Sequence, residues 1–501
     1  MEPVQKTLWK SALHPIIAAL PTATALAASS GPISPQNDKD KINNNTSNIP
    51  TMDPRLKSML YMGGAMSLHF GGYEFFRNAC LALFTSSEYG FSSATAYPLA
   101  NGLVSPFSLL LLWYYSQQLF HSGPRGALRR TTLLSIAVVL VSSASLGLCH
   151  SSHLPRYVGQ AIIWLTFLFQ NSYQYLLYTQ HWSFAGSVLT PAEGARWFPA
   201  LAGFSSVVCS VTSSLVPYIL PYSGILGLMA LTSLTLTGSL LLGDYAYFLS
   251  EKHNFDPAPQ IKEQQRSKDA TGAAEQKGRL STAIHFFRRV PTLSVLFLEA
   301  ITFQSLNTIL NVAFVRTLKQ QVPQDVARAA YSGRFYGLVN AVSAFLQLVI
   351  LPVCMKFTEP AWIWIIMPLV PLAFCTLQVS ASESSLLLVA GAVFLCKTMD
   401  YSMRSVIVPM VYQPLDFESR FMGKEIIGVF GSRFGKSGMS LILSGLTSLG
   451  LLQNMAHLSV MSLVAAGGWS ASTIVLSRLI PRKAQAQAMV EERLQRDKKS
   501  M

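Results

Sequence analysis

Apolar stretches about 20 residues long, parted by short polar connectors, recur along the chain from residue 59 to residue 479. A helix rises about 1.5 Å per residue, so each stretch is long enough to cross a hydrocarbon layer about 30 Å thick. Twelve helices are predicted, at 59–84, 96–119, 131–149, 157–180, 197–220, 222–247, 291–315, 333–355, 361–379, 384–410, 425–451 and 457–479. The widest interior break, 248–290, divides them six and six, and its stretch from Pro257 to Lys277 is polar and weakly amphipathic at best. The expected organisation is a flexible or targeting tail at 1–56, a six-helix half at 57–247, a linker at 248–290, a second six-helix half at 291–480 and a basic tail at 481–501.

Composition agrees with a membrane protein. Half of the 501 residues are hydrophobic and 12% are charged, about half the share a soluble globular chain carries. The net charge of +14 does not point to nucleic acid, because the basic residues are scattered over connectors and form no patch interleaved with aromatics. They orient the spans instead, since cytoplasmic connectors retain Lys and Arg. With both termini cytoplasmic (or stromal), the inside segments hold about 28 of the 38 basic residues and the outside connectors about five. An even number of spans places the two basic tails on one side. Six and six helices about a cytoplasmic loop is the layout of major facilitator-like carriers, whose halves enclose a midplane site. The predicted fold class is therefore an all-α membrane protein of about twelve transmembrane helices in two halves. Gly102-Leu103-Val104 in the second span and Gly337-Leu338-Val339 in the eighth hint at an internal repeat.

The remaining features are weaker. Cys80, Cys149, Cys209, Cys354, Cys375 and Cys396 lie in or beside apolar runs with no CxxC pair and read as small core residues. The apolar run from Ala12 to Leu26, after Lys6 and Lys10, resembles a signal peptide. The low acidity and many Ser and Thr before Gln36 suit a transit peptide, and a plain cytoplasmic tail is the third reading. The membrane is expected to be a bacterial inner membrane or an organelle envelope.

An ionisable residue inside a span costs about 2.5–3.5 kcal/mol on insertion scales, so each is a functional candidate until pairing or snorkelling explains it. The candidates are Glu74 and Arg77 in the first span, Glu299 in the seventh, Lys397, Asp400 and Arg404 in the tenth, and Arg433 and Lys436 in the eleventh. Residues three, four or seven apart share a helix face, which gathers Lys397, Asp400 and Arg404 into one stripe and pairs Arg433 with Lys436. Facing one cavity, those five would present a net charge of +3, suited to a polyphosphate or another multiply charged anion. Asp400 bonded to Lys397 or Arg404 as a bundle staple is the competing reading. Glu299 is read as a coupling proton site or as an ion-pair partner of Arg77, and Glu74 and Arg77, one turn apart, as a pair able to neutralise each other.

Residues 431–437 imitate a phosphate loop, but GxxxxGK[ST] needs Gly at 430, where Phe430 stands. Gly428, Gly431, Gly435 and Gly438, spaced by three and four, instead suit close helix packing. Cys149, His150 and His153 read as a span end more than a metal site. No catalytic constellation stands out, so no enzyme activity, metal or cofactor is expected.

One segment carries a family likeness. Tyr412, Pro414, Leu415, Asp416, Arg420, Gly423, Lys424 and Gly435-Lys436-Ser437-Gly438 match, without a gap, a pattern of the ATP/ADP translocases of plastids and obligate intracellular bacteria, which this chain resembles. Thr190 to Pro199 after the fourth span and Leu318 to Pro323 with Tyr331 to Phe335 after the seventh are similar to two further stretches of that family. The resemblance covers roughly 57–480. It implies exchange of nucleotides, with Lys436 as a substrate contact and Gln170 and Asn311 at the places of family glutamates. Cys80 stands where a family Lys is expected, and Val408 and Pro409 where a Lys-Glu pair is expected. Either the recognition charges have moved, for instance to Arg404 and Arg433, or the substrate is no longer ATP and ADP.

The expected protein is a monomeric carrier of a small anionic solute, a nucleotide or related phosphorylated metabolite, working in the lipid bilayer by alternating access. Lys436 and Arg433 hold phosphate in this reading, with Arg404 and Arg77 assisting, while Glu193, Arg196, Asp416 and Arg420 form gate contacts in inside connectors. A carrier of another solute, proton-coupled through Glu299, and a non-transporting scaffold are the alternatives.

Overall fold

The computed structural model describes residues 53–88, 90–152, 155–189, 191–253, 289–381, 385–412, 427–452 and 454–482 with isolated positions besides, and every regular element among them is helical. Helix α1 (Pro54–Thr85) starts where Asp53 accepts from the Arg55 N–H at 3.0 Å, with Pro54 in the first turn, where its missing N–H costs nothing. The continuous run Ala96–Ser152 breaks at Gly123 and the run Pro191–Lys252 at Gly224. Their φ angles of 69° and 64° lie where a Cβ is disfavoured. The chain reverses at Gly123, for Arg130 reaches back to Gln118 at 2.7 Å, whereas twelve residues of straight helix span about 18 Å. These runs therefore supply α2 (96–122), α3 (124–152), α5 (191–223) and α6 (225–252), with α4 (Arg156–Val188) between them.

The second half repeats the scheme. Helix α7 (Pro291–Gln321) precedes α8, which runs through Asp325–Phe345, a π-helical turn Leu346–Ile350 and Leu351–Phe357. Then come α9 (Pro360–Ser380) and α10, made of Leu386–Met399, a π-helical turn Asp400–Arg404 and Ser405–Tyr412. Helix α11 opens with the π-helical stretch Ile427–Phe434 and continues through Gly435–Ser448, and α12 is Met455–Leu479. Each predicted stretch overlies one of these legs. Among the described residues, eight segments are long and apolar enough to cross a membrane, one of them covering α5 and α6 together. Helices α1, α4 and α11 fall short because polar residues interrupt them, and all three border the cavity described below.

Each half has its own core. Phe303, Phe314, Trp364 and Trp469 are buried in the second, and Phe76, Phe84 and Tyr173 in the first. Hydroxyls join helices inside the first half: Ser58, Thr232 and Ser239 donate across α1 and α6 to the carbonyls of Ala246, Gly72 and Ala65 at 2.9, 3.0 and 2.7 Å.

The halves meet along two equivalent crossings, the second leg of each against the fifth of the other. At Gly102 on α2 an added Cβ would lie 2.5 Å from Leu441 on α11, and at Gly337 on α8 it would lie 2.5 Å from Ser214 on α5. The two Gly-Leu-Val strings thus mark matching contacts. Polar ties between halves run along these crossings and on to the C-terminal end of α1. The guanidinium of Arg328 donates to the hydroxyl and carbonyl of Thr85, each at 3.0 Å. Ser210 donates to the Gly337 carbonyl at 3.0 Å, and Lys319 to that of Phe91 at 2.5 Å.

Candidate binding site

A cavity of about 200 Å³ lies between the halves, walled by α1, α2, α4, α7, α8, α10 and α11. Three cations line it: Arg77 from the first half, Lys397 and Lys436 from the second. No Asp or Glu among the described residues lines it, and of the three cations only Arg77 has an ion-pair partner, Glu74, which stands behind the wall. Tyr73, Tyr97, Tyr336 and Tyr401 supply aromatic faces and hydroxyls. Asn101, Gln170, Asn171, Gln174 and Asn311 add amides that both donate and accept. A second space of about 380 Å³ adjoins it, sharing Tyr97, Val312 and Val315 as a common wall.

Local structure places the cations. Lys436 follows the π-helical stretch Ile427–Phe434, whose extra residue per turn rotates the helix that succeeds it. Its neighbours are anchored on both sides. Gly435 backs onto α7, where a Cβ would sit 3.5 Å from Ile301 and Gln304, and Ser437 bonds Ser105 of α2 at 2.5 Å. Lys397 occupies the last turn before the π-helical turn Asp400–Arg404, its ammonium 5.8 Å from the Tyr401 ring centre. The Arg77 guanidinium lies 3.4 Å from the ring centre of Tyr336, across the interface between halves. It also pairs with Glu74 one turn earlier. Glu74 stands behind it, accepting from Ser213 at 2.6 Å and Asn340 at 3.3 Å.

Of the residues singled out from sequence, Arg77, Gln170, Asn311, Lys397 and Lys436 line this cavity. Arg404 and Glu299 do not. The Arg404 guanidinium reaches both Glu299 oxygens at 3.0 and 3.1 Å, Asp400 at 3.3 Å and the Phe303 ring centre at 4.3 Å, and Trp469 Nε1 donates to Glu299 at 2.9 Å. Arg433 lies over Tyr175 of α4 at 3.3 Å, and its two terminal nitrogens have no hydrogen-bond partner among the described residues. Cys80 is buried in the core of the first half, and Val408 and Pro409 lie off the cavity wall. The side chains of Glu193 and Arg196 are outside the described set, as are Asp416 and Arg420 altogether.

The tyrosines and the amides Asn101, Asn171 and Gln174 were not singled out from sequence. One signal was available: Gln170 and Gln174 are four apart and share a face of an otherwise apolar helix.

Residues 173–479 match the family described as TLC ATP/ADP transporter. The ADP,ATP carrier protein 1 of Chlamydia trachomatis is 21% identical over 341 residues, 61% of this chain and 62% of the relative. That of Chlamydia pneumoniae is 25% identical over 343 residues, 61% of this chain and 64% of the relative. The chain thus spans somewhat under two thirds of these relatives. Among solved structures, the xylose transporter XylE from E. coli, in an inward-open conformation, superposes with a TM-score of 0.55 at 10% identity, covering 88% of this chain and 99% of that one. A mutant of the nucleoside transporter NupG gives 0.54 at 9% identity, covering 86% and 100%. A peptide transporter, POT, in complex with sulfate gives 0.55 at 12%, covering 85% and 96%. At these identities the likeness is one of fold, that of major facilitator-like transporters, and the protein is a multi-pass membrane protein. With the family match extending over 307 residues of 501, the chain belongs to the TLC ATP/ADP transporter family.

Proposed function

We propose that the protein exchanges nucleotides or related phosphorylated metabolites across its membrane by alternating access of the central cavity, as a monomer. The observation that carries this reading is a cavity with three cations, Arg77, Lys397 and Lys436, and no acidic residue on its described wall. Lys397 and Lys436 have no ion-pair partner among the described residues, and such cations between membrane helices are costly unless a ligand of opposite charge completes them. Phosphate oxygens do so through charge-assisted hydrogen bonds. The tyrosines offer stacking faces for a base, and the amides offer hydrogen bonds to its edge or to a ribose. The name of the chlamydial relatives, ADP,ATP carriers, agrees with this chemistry.

About 200 Å³ is below the range of roughly 300–1,000 Å³ usual for ligand pockets, so the site widens to admit substrate. The neighbouring space beyond Tyr97, Val312 and Val315 is where that room is available. The proposed orientation has both termini in the cytoplasm or stroma. Arg55, Lys57, Arg129, Arg130 and Lys252 cluster at one end of the first half, where Arg55 meets Phe255 and Arg125 meets Asp244.

Glu299 is bonded to Arg404 and Trp469 away from the cavity, which favours a structural role over proton coupling. In proteoliposomes, Lys436→Gln should lower exchange of labelled ATP or ADP by about 10- to 100-fold, the worth of one or two hydrogen bonds to a charged group, with insertion intact. Wild-type exchange by that variant would overturn the proposal.

A further inference from the structure

We infer that Glu74 is the positioning residue that makes exchange obligatory: it joins Arg77 to the opposite half while the cavity is empty and yields Arg77 when an anion arrives. This rests on the reading of the cavity as an anion-exchange site.

Glu74 is 3% exposed and absent from the cavity wall, whereas Arg77 lies on it. The carboxylate connects three helices. It pairs with Arg77 on its own helix α1, accepts from Ser213 on α5 at 2.6 Å and accepts from Asn340 on α8, in the other half, at 3.3 Å. The interface between halves is close at this place. An added Cβ at Gly333 of α8 would meet the Ser213 carbonyl of α5 at 2.9 Å, and Arg77 stacks on Tyr336 of α8. In the proposed alternating access, α1 and α5 move against α8 at this contact.

Arg77 has donors to spare. A guanidinium carries five N–H bonds in a fixed fork, and the Arg77 Nε is buried without a hydrogen-bond partner among the described residues. A phosphate drawn in by Lys397 and Lys436 therefore meets a partly satisfied Arg77 and competes with Glu74 for it. A buried carboxylate deprived of its cation destabilises the arrangement that buries it. Anion binding thus weakens the closed contact between halves. Without an anion, the Glu74–Arg77 pair and the Asn340 bond remain and the empty carrier stays put. A carrier that reorients only when loaded exchanges solutes and does not leak them.

The test uses purified protein in proteoliposomes loaded with labelled ADP, with efflux measured into buffer with and without external ADP. Asn340→Ala removes the bond between halves without touching the cavity wall, and Glu74→Gln removes the competitor for Arg77. Wild-type efflux should require external ADP. Both variants should raise efflux into ADP-free buffer relative to exchange by about 10-fold, the effect of one hydrogen bond to a charged group. Glu74→Gln should also lower the ADP concentration for half-maximal exchange, and Asn340→Ala should not. Variants that stay strictly dependent on external ADP overturn the inference alone, as do variants that lose both fluxes in proportion, which is the mark of a merely structural role. A wild-type protein that exchanges no nucleotide overturns the functional reading and this inference with it. If Glu74→Gln fails to insert, Asn340→Ala decides.

Discussion

Lys436, Lys397 and Arg404 all stand in helices α10 and α11, yet what surrounds each gives it different work. The two lysines face the cavity, while Arg404 is held by Glu299, Asp400 and the Phe303 ring. Breaking one partner of such a buried pair leaves an uncompensated charge, so Arg404→Leu alone should lower stability by about 3–5 kcal/mol. The paired change Glu299→Leu with Arg404→Leu should cost clearly less, as unfolding of the detergent-solubilised variants would show. Equal losses for the single and double variants would contradict a paired, structural role. The charges themselves were conspicuous in the sequence as interruptions of apolar runs. Which of them were already satisfied was not, because Glu299 and Arg404 are 105 residues apart and only the packing of α7 against α10 joins them. The same distance problem hid the tyrosines: a Tyr in a membrane helix is ordinary until four of them from four helices face one space.

At the scale of elements, helix positions followed from apolar length, since a membrane helix has to satisfy its own backbone hydrogen bonds. The π-helical turns in α8, α10 and α11 left no mark in hydropathy, and those in α11 and α10 re-aim Lys436 and the stripe that continues from Lys397 to Arg404. The eleventh span was expected to pack through its glycines. Gly431 and Gly435 do approach α7, whereas a Cβ on Gly428 or Gly438 would meet nothing within 4 Å. Tighter approaches occur at Gly102, Gly203, Gly333 and Gly337, where the halves meet, and at Gly63 and Gly72 inside the first half. At Gly333 a Cβ would fall 2.7 Å from the Val216 Cβ and 2.9 Å from a backbone carbonyl, neither of which is a flexible chain end. Gly333→Ala should therefore cost about 1–3 kcal/mol by overpacking. Gly438→Ala should leave stability unchanged or raise it slightly, because alanine is the better helix former. Thermal unfolding of the two variants side by side checks the contrast.

In the whole molecule, the charge surplus divides into two parts. Most of the +14 lies outside the predicted spans, which is the basis of the proposed orientation, and only a few cations line the cavity. Lys436, Gln170 and Asn311, which the family resemblance places at substrate positions, all line the cavity. Arg77 and Lys397 supply positive charge that Cys80 and Val408 do not. The Arg328–Thr85 bonds tie α8 to the C-terminal end of α1, and in the proposed alternating access they have to break for that end to open. The central claim is that this cavity binds a phosphorylated solute through its cations, and ligand-induced stabilisation tests it most directly, because a ligand bound only by the folded state raises the unfolding midpoint. ATP, ADP and adenosine would be compared on wild-type and Lys436→Gln protein in detergent. At about 100 times the dissociation constant, ATP or ADP should stabilise the wild type by about 2.7 kcal/mol, adenosine should not, and Lys436→Gln should lose the effect. Equal stabilisation by adenosine, or an undiminished response in Lys436→Gln, would contradict it.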